Sequence, residues 1–208
     1  MTQTARPASD CHSSLSTILE RFCELDWEDR GKAHLRAQQE FTEVNVPSLL
    51  RDLKQQSQTS ISVGRSVEKT THYKWFLGEG PDRDFELWLH EYKPRRLRRP
   101  GHATVAHNHR FWLTSLILRG GFTDTRYARV EGEGEPLIKP VAQRSMDLGN
   151  TMVIDPEEIH SLAALQDKTI SLVVQSRPVR SYSEVFEEGE VRRYFDLEAK
   201  LAELRESL

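Results

Sequence analysis

The chain has 208 residues, of which 29% are charged and 37% hydrophobic, and its formal net charge is -3. There is no basic excess, which argues against a nucleic-acid-binding protein, and no apolar run of membrane-spanning length, which argues against a transmembrane protein. The first ten residues lack the apolar stretch of a signal peptide, and two cysteines are too few for a disulfide framework. We therefore expect a cytoplasmic protein.

Helical periodicity marks the first part of the chain. Residues 13–27 carry apolar side chains at helical spacing after a serine, which predicts a helix. Residues 32–56 predict one or two further helices with a break near Pro47. We assign residues 1–58 to an N-terminal helical extension.

From about residue 60 the pattern changes to short apolar runs separated by Gly, Pro and charged turns, which is typical of an all-β sandwich or barrel. The runs are residues 73–77, 85–92, 112–118, 151–154 and 169–174. They predict a β domain over residues 59–186. Helical spacing returns in the tail and predicts a C-terminal helix over residues 187–208. The terminal helices either cover barrel edges or form a dimer contact, and a homodimer is a candidate assembly.

Three histidines predict a metal site. His107 and His109 are two residues apart, and His160 follows about fifty residues later. Residues two apart on a strand share a face, so the first two imidazoles could bind one ion, with the third completing the set from a neighbouring strand. Three neutral nitrogen ligands suit Fe, Co, Ni, Cu or Zn better than Mg or Ca.

The histidine pair resembles the first motif of the cupin superfamily, Gly-x5-His-x-His followed after three or four residues by Glu and after six more by Gly. Here five residues separate Gly101 from His107, and four residues separate His109 from Thr114, which takes the glutamate position ahead of Gly121. The resemblance implies a mainly β fold, the cupin double-stranded β-helix or jelly-roll barrel.

The second cupin motif, a glycine with a histidine eleven residues later, is matched by Gly149 and His160, with Pro156 between them. Over residues 73–178 the chain resembles the cysteine dioxygenase type of cupin, which implies Fe(II) held by His107, His109 and His160. A 2-oxoglutarate oxygenase is disfavoured, because the His-Asn-His segment offers no carboxylate ligand.

Departures from that type predict a different substrate. Ser171 matches the serine of the Ser-x-His-x-Tyr strand, but Val173 and Gln175 replace its histidine and tyrosine. The nearest match to the type's Tyr-x-Arg strand, which binds a carboxylate, is Tyr73-Lys74-Trp75, in which the arginine is absent. Lys74 could bind a carboxylate there as a point charge, without bidentate geometry. We predict catalytic or substrate-binding roles for Lys74, Thr114, Ser171 and Gln175, and expect the last three to face the cavity through strand alternation.

Other polar residues of the predicted strands are open to two interpretations. Arg119 and Arg177 are candidates for an anion clamp or for solvated surface residues. Either Arg126 or Tyr127 faces inward, since neighbours on a strand alternate. His90 is interpreted as a core histidine whose hydrogen bonds are satisfied.

The leading functional hypothesis is an Fe(II)- and O2-dependent oxygenase acting on a small polar, amino-acid-like metabolite. Zn, Ni, Mn and Co are alternative metals. One alternative function is a metal-dependent cupin without redox chemistry, such as an isomerase, lyase or hydrolase. Another is a non-enzymatic cupin that binds a metabolite. The expected partners are the small-molecule substrate and O2, with no nucleic acid and no membrane.

Overall fold

The computed structural model describes residues 14–56, 61–99, 101, 103–130, 138–187 and 189–195. Its helices are α1 (Leu15–Cys23), α2 (Arg30–Thr42) and α3 (Val46–Gln56), followed later by a short 3-10 turn at Arg95–Leu97. The predicted N-terminal helices are confirmed, with the expected break just before Pro47. Each α-helix begins at a side chain that accepts a backbone N–H, which satisfies one otherwise unpaired amide; these residues are Ser14, Asp29 and Asn45.

The remaining described elements are strands. They are β1 (Ser62–Glu68), β2 (His72–Glu79), β3 (Phe85–Tyr92), β4 (Ala106–His107), β5 (Leu113–Arg119), β6 (Gly121–Arg129), β7 (Ile138–Asp147), β8 (Thr151–Ile154), β9 (Ile159–Ala163), β10 (Ile170–Ser176), β11 (Tyr182–Glu187) and β12 (Glu190–Phe195). The prediction of a mainly β protein is confirmed.

The strands form two six-stranded sheets, and the paired strands are antiparallel. Sheet I has the order β1-β2-β3-β10-β5-β8, and sheet II has the order β12-β11-β4-β9-β6-β7. Neighbouring strands are often far apart in sequence, since β10 lies between β3 and β5, and β4 between β11 and β9. Such crossing connections are typical of a jelly roll, in which two sheets enclose one interior.

Sheet I is apolar on both faces, and β5 shows how the residues divide. Leu116 and Leu118 pack with the helices in one buried cluster, whereas Leu113 and Ile117 belong to a second cluster inside the barrel. Successive side chains of a strand point to opposite faces. Leu113, Ser115 and Ile117 therefore face the barrel interior, and the even-numbered residues of β5 face the helices.

The C-terminal prediction is wrong where the structure describes it. Residues 190–195 form β12, which pairs along its length with β11, and not the start of a helix. The remainder of the predicted helix, residues 196–208, lies outside the described residues. Within the described part of the chain, no helix combines the length and the apolarity that crossing a membrane requires.

Candidate metal centre

Sheet II brings two of the three histidines together directly. His107 ends β4 and is paired across the sheet with His160 of β9. Strand β4 contains only two residues, so His109 lies in the loop beyond it and not on the same strand face as predicted. The third imidazole is therefore positioned by a loop.

The three imidazoles converge on one point. One nitrogen from each of His107, His109 and His160 lies within 4.8 Å of the other two. His109 Nε2 is 3.0 Å from His160 Nε2, the separation of two nitrogens that bind one ion at about 2.1 Å and at a right angle. His107 and His160 are buried, and His109 is half-buried.

The other ring nitrogen of two histidines is already occupied. His160 Nδ1 lies 2.9 Å from Asp124 Oδ1, and His107 Nδ1 lies 2.8 Å from the carbonyl oxygen of Val105. Since both oxygens can only accept, both Nδ1 atoms donate, and the lone pairs remain on Nε2. Metal-binding histidines characteristically donate their second N–H in this way, which fixes the tautomer and the ring orientation. The donor set thus fits a divalent transition metal.

Asp124 is fully buried beside the cluster and is paired with two arginines. Its Oδ2 lies 2.7 Å from Arg126 Nε and 3.3 Å from Arg144 Nε. Burial alone would raise the pKa of Asp124, but the His160 hydrogen bond and the charge of Arg126 hold it at about 2. Burial lowers the pKa of His160 despite the opposing effect of Asp124. At neutral pH the carboxyl is therefore charged and the imidazole neutral, the forms that metal binding needs.

The middle residue of the His-Asn-His segment has a structural role. Asn108 is completely buried; its Nδ2 donates to Glu184 Oε2 at 2.9 Å, and its Oδ1 accepts the Glu184 amide at 2.7 Å. Burial would raise the pKa of Glu184, but hydrogen bonds from Asn108 and Arg129 lower it overall. This network fixes the backbone between His107 and His109 to β11.

Arg180 holds the same loop from the other side. Its Nε and a terminal nitrogen donate to the carbonyl oxygen of His109, at 3.0 and 2.7 Å. The guanidinium also donates to the Pro156 carbonyl and pairs with Glu157 at 2.9 Å. One side chain thus ties the loop of His109 to the turn that leads into the strand of His160.

The strand order and the meeting of the two histidine motifs across sheet II now decide the architecture. The chain has the cupin fold. No protein-family model matches the chain, and a comparison with curated proteins finds no match.

Several solved structures are similar in fold. The DMSP lyase DddQ from Ruegeria pomeroyi DSS-3 is 13% identical, with a TM-score of 0.42 over 67% of this chain and 68% of that one. KdgF from Halomonas sp. is 16% identical, with a TM-score of 0.38 over 55% and 88% of the two chains. The 7S globulin of Momordica charantia is 15% identical, with a TM-score of 0.41 over 65% of this chain and about a third of its own, 35%. The likeness concerns the fold alone.

The interior face of sheet I carries Lys74 and Gln175, two of the predicted site residues. Lys74 Nζ donates to Gln175 Oε1 at 3.1 Å and lies 4.3 Å from the centre of the Trp88 ring. Gln175 Nε2 donates in turn to Glu86 Oε2 at 2.7 Å. Burial lowers the pKa of Lys74 to about 8, while Glu86 acts in the opposite direction. The Lys74 ammonium group is therefore held between the Gln175 amide and the Trp88 ring on the interior face of sheet I.

Ser171 also faces the interior, next to Tyr92, and the two side chains are hydrogen-bonded. Burial raises the pKa of Tyr92 well above its ordinary value, and the bond to Ser171 only partly offsets this. Tyr92 therefore stays protonated. Ser171 therefore has a hydrogen-bond partner, Tyr92, on the same interior face of sheet I.

The prediction that Thr114 faces the cavity is wrong. Its Oγ1 lies 2.8 Å from His34 Nδ1 and donates to the His34 carbonyl at 3.1 Å, both on α2. Thr114 thus points to the helical layer. The inward position is that of Leu113, which three residues separate from His109, so that it also satisfies the motif spacing. An apolar side chain therefore occupies the place of the cupin glutamate.

The arginine alternatives are also decided. Arg126 faces inward to Asp124, whereas Tyr127 packs in a separate cluster on the outer face of sheet II. Arg119 is exposed and donates to the Lys168 carbonyl, and Arg177 is exposed and donates to the Arg83 carbonyl. The two proposed clamp arginines therefore lie on the surface.

His90 differs from its interpretation as a satisfied core residue. It lies on the interior face between Trp88 and Tyr92, and its Nε2 is buried with no hydrogen-bond partner in the described protein. Ser115 Oγ, on the interior face of β5, is likewise buried without a partner. A buried polar atom left unpaired costs about 1–3 kcal/mol. Sequence reasoning assigned neither residue to the site, because nothing local to a strand reveals whether an inward polar atom finds a partner.

Proposed function

We propose that this protein is an Fe(II)-dependent oxygenase that acts on a small, anionic, amino-acid-like metabolite. The observation that carries the proposal is a convergent group of three histidines that contains no carboxylate. Neutral ligands leave the full charge of a divalent ion uncompensated, which favours an anionic substrate. The ion itself would supply a coordination site at which substrate and O2 meet.

Residues of this chain would bind the ion, orient one of its ligands and fill the space beside it. His107, His109 and His160 would hold the ion, and Asp124 keeps the Nδ1 proton on His160. Leu113 excludes a fourth, charged ligand from the place of the cupin glutamate. A dioxygenation needs no external reductant, because both oxygen atoms of O2 enter the substrate.

Lys74 is proposed to bind a substrate carboxylate. Its ammonium group faces the interior, and a pKa of about 8 keeps it mostly protonated at pH 7. Gln175 fixes the ammonium position through its Oε1, and Glu86 in turn holds the Gln175 amide. A substrate that chelates the ion at one end would meet this cation at the other.

The test begins with metal analysis of protein purified without added metal, followed by O2 uptake with a panel of small carboxylates in the presence of Fe(II). O2 consumption that is lost in His107→Ala and His160→Ala but kept in His34→Phe supports the proposal. Turnover of the same compounds without O2 would replace it with non-redox metal chemistry. Retained metabolite binding without any metal would replace it with a binding function.

A further inference from the structure

Within the part of the chain that the structure describes, two buried polar atoms on the interior face of sheet I have no hydrogen-bond partner and are not among the converging metal-ligand atoms. They are His90 Nε2 on β3 and Ser115 Oγ on β5. Buried polar groups in folded proteins are almost always hydrogen-bonded. Two unpaired atoms on one interior wall therefore point to a ligand.

The register of sheet I places both residues on the same interior face, one on each side of β10. His90 is paired with Ser171 of β10, and Ser115 is paired with Val173 two residues further along the same strand. Side chains two apart on one strand share a face. Both polar atoms thus belong to the wall that also presents Lys74, which is paired with His90 across β2 and β3.

The surroundings of His90 favour an anion. Its ring lies 4.7 Å from that of His72. Burial lowers the pKa of His90 well below its ordinary value, and the charges of His72, Lys74 and His109 act in the same direction. A neutral imidazole in such surroundings can still donate one N–H. His109 belongs to the metal cluster, while His90 itself is not among the converging ligand atoms.

We propose that His90 and Ser115 contact the substrate, and that they take an anionic oxygen group of a chelating carboxylate bound at the three-histidine centre. This inference rests on the proposed metal site and deepens it, because it names the residues that recognise the ligand.

The test uses the 208-residue chain loaded with one equivalent of Co(II), whose visible spectrum reports ligand binding. The probe is glycolate, a small chelating carboxylate, with ethylene glycol as its uncharged counterpart. The decisive variant is His90→Phe, which keeps the ring volume and removes both nitrogens. The matched control is His34→Phe, since His34 Nε2 is also buried without a partner but lies in the helical layer.

We expect His90→Phe to bind Co(II) within threefold of the wild type and to bind glycolate at least tenfold more weakly. The apo variant should melt at the same or a higher temperature, because an unpaired polar atom has been removed. His34→Phe should bind glycolate within twofold of the wild type. Loss of glycolate affinity together with unreduced stability is a result that a purely structural role for His90 does not give.

The proposal is overturned if His90→Phe binds glycolate within twofold of the wild type, or if the wild type binds Co(II) but not glycolate. If the wild type fails to bind Co(II), the proposed function fails with it. Should His90→Phe not fold, Ser115→Ala decides: a threefold or greater loss of glycolate affinity supports the proposal, and unchanged affinity overturns it.

Discussion

Asp124 Oδ1 accepts a hydrogen bond from His160 Nδ1 at 2.9 Å, at a position where neither side chain is open to solvent. The carboxylate stays ionised because Arg126 lies against its other oxygen. It therefore keeps the proton on Nδ1, so that Nε2 of His160 faces the other two histidines as a lone pair. Asp124 therefore orients His160 for metal binding without being a metal ligand itself.

Replacing Asp124 with Asn should weaken metal binding. The amide can no longer pair with Arg126, and the charge that supports the Nδ1 proton is lost. Changes to such supporting groups typically cost about 10–100-fold in metal affinity, and we expect that range for Co(II) measured by competition with a chelator. Asp84→Asn is the control, since Asp84 is a loop residue paired with Arg177 at the surface. If Asp124→Asn binds Co(II) with an affinity within twofold of the wild type, Asp124 does not support metal binding.

Metal removal should lower thermal stability. A ligand at one hundred times its dissociation constant adds about 2.7 kcal/mol to the free energy of unfolding, or about 5–10 °C in melting temperature for a chain of this size. Differential scanning calorimetry with and without Co(II) should show this rise. His109→Ala should lose most of it, whereas His34→Phe should keep it. An equal rise in His109→Ala would place the ion elsewhere.

Asn108→Asp should destabilise the protein. The change removes the donor to Glu184 and sets a second carboxylate against a buried one. We expect a loss of about 2–3 kcal/mol in the free energy of unfolding, measured by urea denaturation. The same substitution at exposed Asn150 is the control, because there the side chain only accepts the Asp147 amide, which an aspartate oxygen also does. Equal effects at the two positions would contradict the network described here.

Stability should fall in mild acid in part because of His34. Burial lowers its pKa to about 3, against an ordinary value of 6.5. The unfolded chain takes up this proton below pH 6.5 and the folded chain does not. The folded chain therefore has its full stability, as far as His34 is concerned, above pH 6.5. Below that pH the free energy of unfolding falls by up to about 1.4 kcal/mol per pH unit until the pH approaches 3.

The measurement is urea denaturation of the wild type and His34→Phe at pH 7, 6, 5 and 4.5. Phenylalanine keeps the packing between Trp27 and Trp112 and cannot titrate. The variant should lose stability less steeply with acid than the wild type. Parallel curves would show that the unfolded and folded chains protonate His34 alike.

Much of the metal centre could be predicted from the sequence, because motif spacing encodes which strands meet. His107 and His160 are brought together by the pairing of β4 with β9, and the loop after β4 adds His109. Helix α1 was likewise visible as an apolar period that begins after a capping serine. Helix α1 can be predicted because its pattern is local in the sequence. The histidine site can be predicted because its motif spacing belongs to a recurring fold.

The predictions that were wrong concern residues whose structure depends on contacts between segments far apart in the sequence. The direction of Thr114 depends on where β5 starts, and a shift of one residue reverses every side chain of a strand. Residues 190–195 have the spacing of a helix, but pairing with β11 makes them a strand. The unpaired nitrogen of His90 depends on the contents of a whole interior, which no single segment of sequence reports.

The two apolar faces of sheet I have a consequence for how the protein unfolds. Leu116 and Leu172 are fully covered by the helical layer, while Ile117 and Val173, their neighbours in the chain, are covered by the barrel. The same strands thus complete two cores at once. A fragment beginning at residue 59 would expose a broad apolar sheet, and the helices and barrel should melt in a single cooperative transition.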